Sequence, residues 1–447
     1  MADERNGDEL SRREFIKTTA GTTAGAVAGS VLAARPAAAR SQSAQSAGRV
    51  LGANDRINFA IIGTKPRGMG FGHLRNLIGP PLATENVQVV AICDVWAKAR
   101  TLGQAEVKLA DGAVFTDYRK MLDTVKEIDA VLVATPDHWH AEQAIAALDL
   151  GKHVYVEKPM TRTLDEGFKL YDAAKRSGKL VQVGPHGTSD PKWLRARDIV
   201  KDGRMGRLLW AQASYCRNNP LGEWNYELDP DATAQSIDWT TWLGNAPKRP
   251  FSAERYFRWR KYWDYGTGLI GDLFPHRLYP LMLAMNINEF PRSVSCLGGI
   301  LCNTDAGPDA EGKPYGEPRE VADTTMMMVD FPSGVMIFAA SATTNERGVD
   351  DVIRGQKANL MGGGNRLMLT PERPFVEEVE ASDETPVDAG ESHVKHMRNF
   401  IVSMRDNVQP NCGIELGIRG QAIVSMAEMA YRKKRLVTFD EAAKKMT

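Results

Sequence analysis

Cysteine is scarce and odd in number. The five residues are Cys93, Cys216, Cys296, Cys302 and Cys412, and no Cys-x-x-Cys occurs among them. That argues against a disulfide framework and against a zinc site. A Cys296–Cys302 bridge is open to the chain, but free buried thiols are the expectation. Charge of one sign is missing too: Lys+Arg and Asp+Glu both total 56. Nothing therefore favours nucleic acid or an anionic membrane surface. No internal repeat is present. No segment offers the roughly 20 uncharged apolar residues of a membrane span, so a soluble protein is expected. What is present is 447 residues, 43% of them hydrophobic, enough for two domains with real cores.

The N-terminus carries a strong signal. Ser11-Arg12-Arg13-Glu14-Phe15-Ile16-Lys17 reads as a twin-arginine export motif. A weakly apolar Ala/Gly/Val stretch (18–32) and Ala37-Ala38-Ala39 follow, as an h-region and a cleavage site. Residues 1–39 are read as a signal peptide and the Ser/Gln/Ala/Gly-rich 40–55 as a linker. The expectation is a periplasmic or other extracytoplasmic protein that meets the twin-arginine export machinery. Such substrates fold before export, in a reducing compartment, which agrees with few disulfides.

Residues 56–184 alternate strand and helix patterns. Apolar strand runs lie at 57–63, 87–94, 129–134, 153–157 and 180–184, with helical patterns at 141–150 and 164–177. This predicts a parallel, doubly wound α/β sheet. Residues 185–447 read differently. Runs at 208–215, 294–301, 324–331, 335–342 and 352–361 lack regular helices between them, and Asp330-Phe331-Pro332-Ser333-Gly334 looks like a hairpin turn. An α+β domain with a large, mostly antiparallel sheet is expected, closed by helices near 393–405 and 419–431.

Gly63-Thr64-Lys65-Pro66-Arg67-Gly68-Met69-Gly70 follows the first strand and opens a helix. Such a turn presents backbone N–H groups and a positive dipole end to a pyrophosphate. The middle glycine of G-x-G-x-x-G is Lys65 here, so either its charge compensates or the turn is wider. Asp94, closing the second strand, suits adenine-ribose hydroxyls and would repel a 2′-phosphate, favouring NAD over NADP; alternatively it caps the next helix.

Lys158 stands in Val154-Tyr155-Val156-Glu157-Lys158-Pro159, at the carboxyl end of an apolar strand, where open α/β sheets bind ligands. The Glu-Lys-Pro tripeptide resembles the signature of the glucose–fructose oxidoreductase/inositol dehydrogenase (Gfo/Idh/MocA) family. The resemblance spans the chain after its leader. It implies that Thr135, Pro136 and His140, in Ala134-Thr135-Pro136-Asp137-His138-Trp139-His140, line the nicotinamide half of the cofactor. His138 reads as a cap or surface residue. The cofactor set is thus Gly63, Lys65, Arg67, Gly68, Met69, Asp94, Thr135, Pro136, His140, Glu157 and Lys158.

A second family pattern is a glycine-rich stretch followed by Asp-x-x-x-His, here Tyr265 to Gly271, then Asp272 and His276. At i and i+4 the two share one helical face. If they face Lys158, three titratable groups meet at one substrate carbon. Oxidising a secondary alcohol needs a base for the hydroxyl proton while hydride leaves. His276 suits that task, Lys158 can polarise the oxygen and Asp272 can orient the pair. The position three after the histidine, acidic in many relatives, is Tyr279. Five of the nine tryptophans and many tyrosines crowd between Cys216 and Asp272, interleaved with Arg255, Arg258, Arg260 and Lys261. They read equally as a sugar platform or an aromatic interdomain core.

The reading is an NAD(P)-dependent oxidoreductase on a secondary alcohol of a sugar, sugar derivative or cyclitol. Export demands that it carry and internally recycle its cofactor. An NAD-dependent glycoside hydrolase using transient oxidation is the alternative, helped by Trp242 to Pro247. A non-catalytic sugar-binding protein is the third. The apolar run Met326-Met327-Met328-Val329 points to both faces of its strand, so a homodimer or homotetramer is expected.

Overall fold

Short runs of apolar, often β-branched residues make the first sheet, and they are buried on both sides as parallel strands require. Its strands are β1 (Ile57–Ile62), β2 (Val87–Cys93), β3 (Val114–Phe115), β4 (Ala130–Val133), β5 (His153–Val156) and β6 (Val181–Val183). All pair in parallel, in the order β3-β2-β1-β4-β5-β6. The order reverses between β1 and β4, and a crevice opens beyond their carboxyl ends. Helices α1 (Met69–Ile78), α2 (Ala97–Val107), α3 (Tyr118–Thr124), α4 (Asp137–Asp149) and α5 (Leu164–Ser177) connect the strands. The last begins in a capping box of Thr163 and Glu166 and ends on left-handed Gly178. Helix α4 starts four residues before its expected position because Pro136 serves as its N-cap. The computed structural model describes residues 55–302 and 317–447. The export motif, the cleavage site and all of the linker but Asp55 lie outside the described residues.

After α6 (Pro191–Lys201) comes the second sheet: β7 (Leu208–Cys216), β8 (Ser293–Gly299), β9 (Thr324–Asp330), β10 (Met336–Ala342), β11 (Asp351–Gly355), β12 (Ala358–Gly362), β13 (Met368–Pro371), β14 (Ser382–Asp383), β15 (Val437–Asp440) and β16 (Lys445–Met446). The order is β14-β13-β12-β11-β7-β10-β9-β8-β15-β16, antiparallel except where β10 joins β7. Asp330 to Gly334 is indeed the turn between β9 and β10. The single strand expected over 352–361 is instead the hairpin β11–β12. Its turn is pinned because Gln356 and Lys357 donate their amides to Arg207 and Met205 carbonyls. Short helices α7 (Trp239–Leu243), α8 (Ala253–Phe257), α9 (Leu269–Asp272) and α10 (Pro275–Ala284) lie in the β7–β8 connection, and α11 (His393–Asp406) and α12 (Ile414–Lys433) follow β14.

The methionine run divides as alternation dictates. Met327 and Val329 are buried with Ile337 against α10 and α12, while Met326 and Met328 are 54% and 50% exposed on the other face. Leu297, paired with Met326, is exposed beside them. All five cysteines are free; Cys93, Cys296 and Cys412 are buried, whereas Cys302 is exposed and Cys216 half-buried, against the expectation of burial throughout. Among the described residues no helix is long and apolar enough to cross a membrane.

Helix α11 returns to the first sheet. Met397, Phe400 and Ile401 share a core with Phe59, Tyr155 and Leu180, and the Phe400 ring meets Phe59 and Tyr155 edge-on at 6.4 and 6.0 Å. Removing that ring leaves a cavity between the chain's late helix and its first sheet. Phe400→Ala should therefore cost about 3–5 kcal/mol, read as a shift in the midpoint of denaturant unfolding.

Candidate functional site

One cavity of about 970 Å³ runs along the carboxyl ends of the first sheet. Every candidate residue from the sequence lines it. Gly63, Lys65, Arg67, Gly68 and Met69 form one end with Asp94. Thr135, Pro136 and His140 follow. Glu157, Lys158, Asp272 and His276 form the other end.

At the first end, Gly63 has φ 91°, and a Cβ there would stand 2.7 Å from the Ala134 carbonyl. Only glycine lets β1 and β4 approach so closely. Gly68 caps α1, and no side chain covers its first-turn amides, which leaves them to an anion. The turn is the wide alternative, since α1 begins only at Met69 with Arg67 left-handed before it. Lys65 does not replace a glycine against the phosphates: its ammonium lies over the Tyr256 and Phe257 rings, 5.6 and 4.9 Å from their centres. Burial, with the charge of Arg260 adding and Asp94 opposing, brings it down to about 8.

Asp94 is a brace. One carboxylate oxygen accepts from the Thr64 amide at 2.7 Å and the other from the Trp96 amide at 2.9 Å. It thereby fixes the glycine turn and the loop before α2 at once. Thr135 Oγ1 donates to Gln143. His140 spans the Pro159 and Thr135 carbonyls at 2.8 and 2.9 Å, tying the ends of β4 and β5 together. His138 departs from its reading as a cap or surface group. Its ring lies half-buried against Trp242 and Tyr265, 3.0 Å from the Trp242 carbonyl, because the aromatic segment closes over α4.

At the far end Lys158 Nζ donates to the Asp272 carboxylate at 2.7 Å and to its carbonyl at 2.8 Å. Arg260 Nε donates to the same carboxylate oxygen at 2.9 Å. Burial alone would raise the Asp272 carboxyl, but Lys158 and Arg260 outweigh it and hold it well below the usual range. The Lys158–Pro159 peptide is cis. Behind it, Glu157 meets His73 at 2.6 Å; that contact overcomes burial and takes the carboxyl down to about 2. Asp272 and His276 do not share one helix as expected. Pro275 lacks the N–H that would continue α9, so the helix breaks and restarts as α10. Both side chains still reach the cavity. The His276 ring stacks on Tyr215 at 4.5 Å, and burial with the nearby Lys158 charge pushes its pKa well below the usual histidine range. Tyr279 is fully buried and donates to the Gly417 carbonyl, away from the cavity.

Sequence reading misses Arg260, Asp137 and His186. Arg260 was one cation among four, and only contacts separate it: Arg255, Arg258 and Lys261 are absorbed by Glu254, Glu317, Glu320 and Asp264. His186 follows the carboxyl end of β6, a position that could have flagged it. Asp137 is a buried carboxylate on the cavity wall with no hydrogen bond among the described residues. Burial raises it to about 7, with Arg260 opposing. The aromatic stretch is mainly core: Trp242, Tyr256, Phe257, Tyr262 and Tyr265 pack with Trp96. Trp259 and Tyr226 also line the cavity.

Residues 57–185 match the Gfo/Idh/MocA oxidoreductase family's NAD-binding Rossmann fold, and residues 216–297 match its C-terminal α/β domain. A glycosyl hydrolase family 109 protein of Saccharopolyspora erythraea is 26% identical over 403 residues, covering 86% of this chain and 78% of that protein. An oxidoreductase domain protein from Kribbella flavida shares the fold at TM-score 0.66 and 21% identity, over 86% of this chain and 100% of that one. Levoglucosan dehydrogenase in complex with NADH does so at TM-score 0.64 and 18% identity, over 86% and 99%. The first domain is thus an NAD-binding one. The uncapped α1, the side-chain-free Gly68 and Gly70, and the Asp94 brace fit a dinucleotide.

Asp137 generates a pH prediction. Its raised carboxyl binds a proton in the folded state that an unfolded carboxyl, at about 3.9, has lost. Folding is therefore penalised progressively as pH rises from about 4 to about 7, and fully above that. Asp137→Asn removes the penalty. The variant should melt higher than the parent at pH 8 and equal it near pH 4, as followed by thermal unfolding across pH.

Proposed function

The chain belongs to the Gfo/Idh/MocA oxidoreductase family, and from that premise we propose that it oxidises a secondary alcohol of a sugar, sugar derivative or cyclitol and retains its NAD through the cycle. The observation that carries this reading is the Lys158 ammonium, fixed by Asp272 at the substrate end of the NAD cavity. NAD, when bound, accepts hydride from the carbinol carbon. Lys158 polarises the hydroxyl oxygen, and the uncharged His276 imidazole takes the hydroxyl proton as hydride leaves. Asp272 sets the direction of Nζ and offsets its charge, and Arg260 locks that carboxylate. His276 completes the polar wall around the same carbon. Trp259 and Tyr226 give the ring's C–H faces an apolar surface.

The twin-arginine leader supports an extracytoplasmic site of action, where free NAD is scarce, and so supports a cofactor that leaves with the folded protein. Retention over many turnovers asks for about −12 kcal/mol of binding. A second reading is glycoside cleavage by transient oxidation and re-reduction. Two observations favour it: the relative of family 109, and Asp137, a carboxyl near 7 that can hand a proton to a leaving oxygen. The exposed Met326, Met328 and Leu297 face supports a homodimer or homotetramer that buries it.

Lys158→Ala should lower turnover by roughly 10²–10⁴-fold while bound NAD and melting temperature change little. Near-normal turnover, or loss only through unfolding, would refute the assignment. Mass spectrometry of the denatured supernatant should recover NAD, and a panel of glycosides scored for aglycone release separates the two readings. Light scattering at micromolar concentration should give at least a dimer mass; a monomer mass would remove the interface.

A further inference from the structure

We infer that His186, oriented by Glu391, takes over from His276 the proton that leaves the substrate hydroxyl, and so acts as a positioning residue one step behind the base. The inference rests on the proposed oxidation and adds a second station to it. His186 stands in the turn after β6, His276 in α10 and Glu391 just before α11. One nitrogen of each ring and one Glu391 oxygen lie within 4.8 Å of one another. The two rings meet edge to face at 5.2 Å, and His186 Nε2 is 3.2 Å from Glu391 Oε2. Nδ1 of both rings is buried and has no hydrogen-bond partner among the described residues. Buried polar atoms are normally partnered, and these two suit each other. With Nε2 donating to Glu391, His186 Nδ1 holds a lone pair. With Nε2 of His276 left to the cavity as the base, its Nδ1 carries the hydrogen. One is a donor and the other an acceptor, and the rings are close enough for a proton to pass directly or through one water.

His276 is a poor place for the proton to stay. Burial, then the Lys158 charge, push its pKa well below the usual histidine range, and the His186 ring adds to the effect. Asp272 is committed to Lys158 and Arg260 through a single oxygen. Glu391 is not committed in this way. Burial would raise its carboxyl, but His186 and Arg277 outweigh that and take it down to about 2. It therefore stays an anion, and it balances a charged His186 rather than carrying the proton itself. Arg277 also approaches Asp351 at 3.4 Å, so its charge is shared between two carboxylates. The Glu391 side chain is 22% exposed, which ends the route at solvent. His393, the other ring beside His186 at 4.0 Å, leads inward to His73 and the buried Glu157. The transfers balance. As hydride leaves the carbinol carbon for NAD, the hydroxyl proton bonds to His276 Nε2, the hydrogen on His276 Nδ1 passes to His186 Nδ1, and re-reduction runs the same steps backwards.

The test uses the full protein with its bound NAD. Nitrogen NMR of the histidine rings needs no substrate. At neutral pH it should show hydrogen on Nε2 of His186 and none on its Nδ1, and Glu391→Ala should let Nδ1 carry hydrogen. Turnover is followed by reduction of the bound nicotinamide, with glucose, methyl glucosides and myo-inositol as probes. His186→Ala should lower it by roughly 100-fold, the lower end of what a positioned proton-transfer group contributes. KM, bound NAD and melting temperature should change little, and the solvent isotope effect should rise. Added imidazole should restore at least about a tenth of the rate. Pyrrole, of the same shape but without a basic nitrogen, should restore none. Near-normal turnover of His186→Ala, rescue by pyrrole equal to rescue by imidazole, or hydrogen on His186 Nδ1 in the parent overturns the relay and leaves the role of Lys158 standing. If no probe reduces the bound NAD, the proposed oxidation fails, and the spectra still decide on His186. Hydrogen on Nδ1 then rules the relay out, and hydrogen on Nε2 in the parent but on Nδ1 in Glu391→Ala upholds its geometry. If Glu391→Ala fails to fold, the parent spectrum decides.

Discussion

Two cations share one carboxylate at the centre of this molecule. Asp272 accepts from Lys158 just after β5 and from Arg260 in the β7–β8 connection. Three buried charges in one place are expensive unless paired and hydrogen-bonded, because each loses its hydration. Here the geometry supplies the pairing, and it does so only if both domains are in place. The Rossmann strand delivers Lys158, the break between α9 and α10 aims Asp272, and the aromatic core beneath Trp259 sets Arg260. A site assembled this way is rigid without being self-contained, since no single element could hold it.

Much of the first domain is legible in the sequence because its signals are local. Each strand run ends where β1, β2, β4, β5 and β6 end within a residue or two, and α5 carries both of its caps in adjacent residues. Lys158 and Gly63 are legible for the same reason, since position at a strand's carboxyl end is itself the argument. Arg260, His186 and Glu391 are not. They matter through partners 12 to 205 residues away in the chain, such as Asp272 for Arg260 and His186 for Glu391, and no periodicity encodes such meetings. The hairpin at 356–357 escapes notice because its turn is fixed by carbonyls of residues 205 and 207 rather than by Gly or Pro chemistry at the bend.

Histidine usage shows the same division. Four rings form one packed array, His73, His393, His186 and His276, with centroid separations of 5.5, 4.0 and 5.2 Å. Two carboxylates, Glu157 and Glu391, sit on its flank. Burial pushes His393 down to about 4, and His276 lower than its ordinary value as well. Uncharged imidazoles cost less to bury than charged ones, and they keep lone pairs available to a proton or an ion. At His393 and His276 the fold therefore places polar capacity deep in the cavity wall without adding to the charge already balanced at Asp272.

At the opposite end of the cavity the chain folds over its own cofactor cleft. Lys98, in α2 just beyond Asp94, pairs with Asp229 and Asp231 at 2.8 and 2.7 Å. Trp96 bridges to Ile237, Ala97 donates its amide to Ser236, and Asp238 donates to Val95. Glu227 to Pro230 line the cavity beside the glycine turn. The exposed ion pairs contribute little alone, about 0–1 kcal/mol each and less in salt. The backbone bonds and the buried Trp96 do more, because opening the cleft there means lifting an aromatic core off the sheet. Closure of this side of the cleft therefore rests on packing between the 227–238 segment and the loop around Trp96.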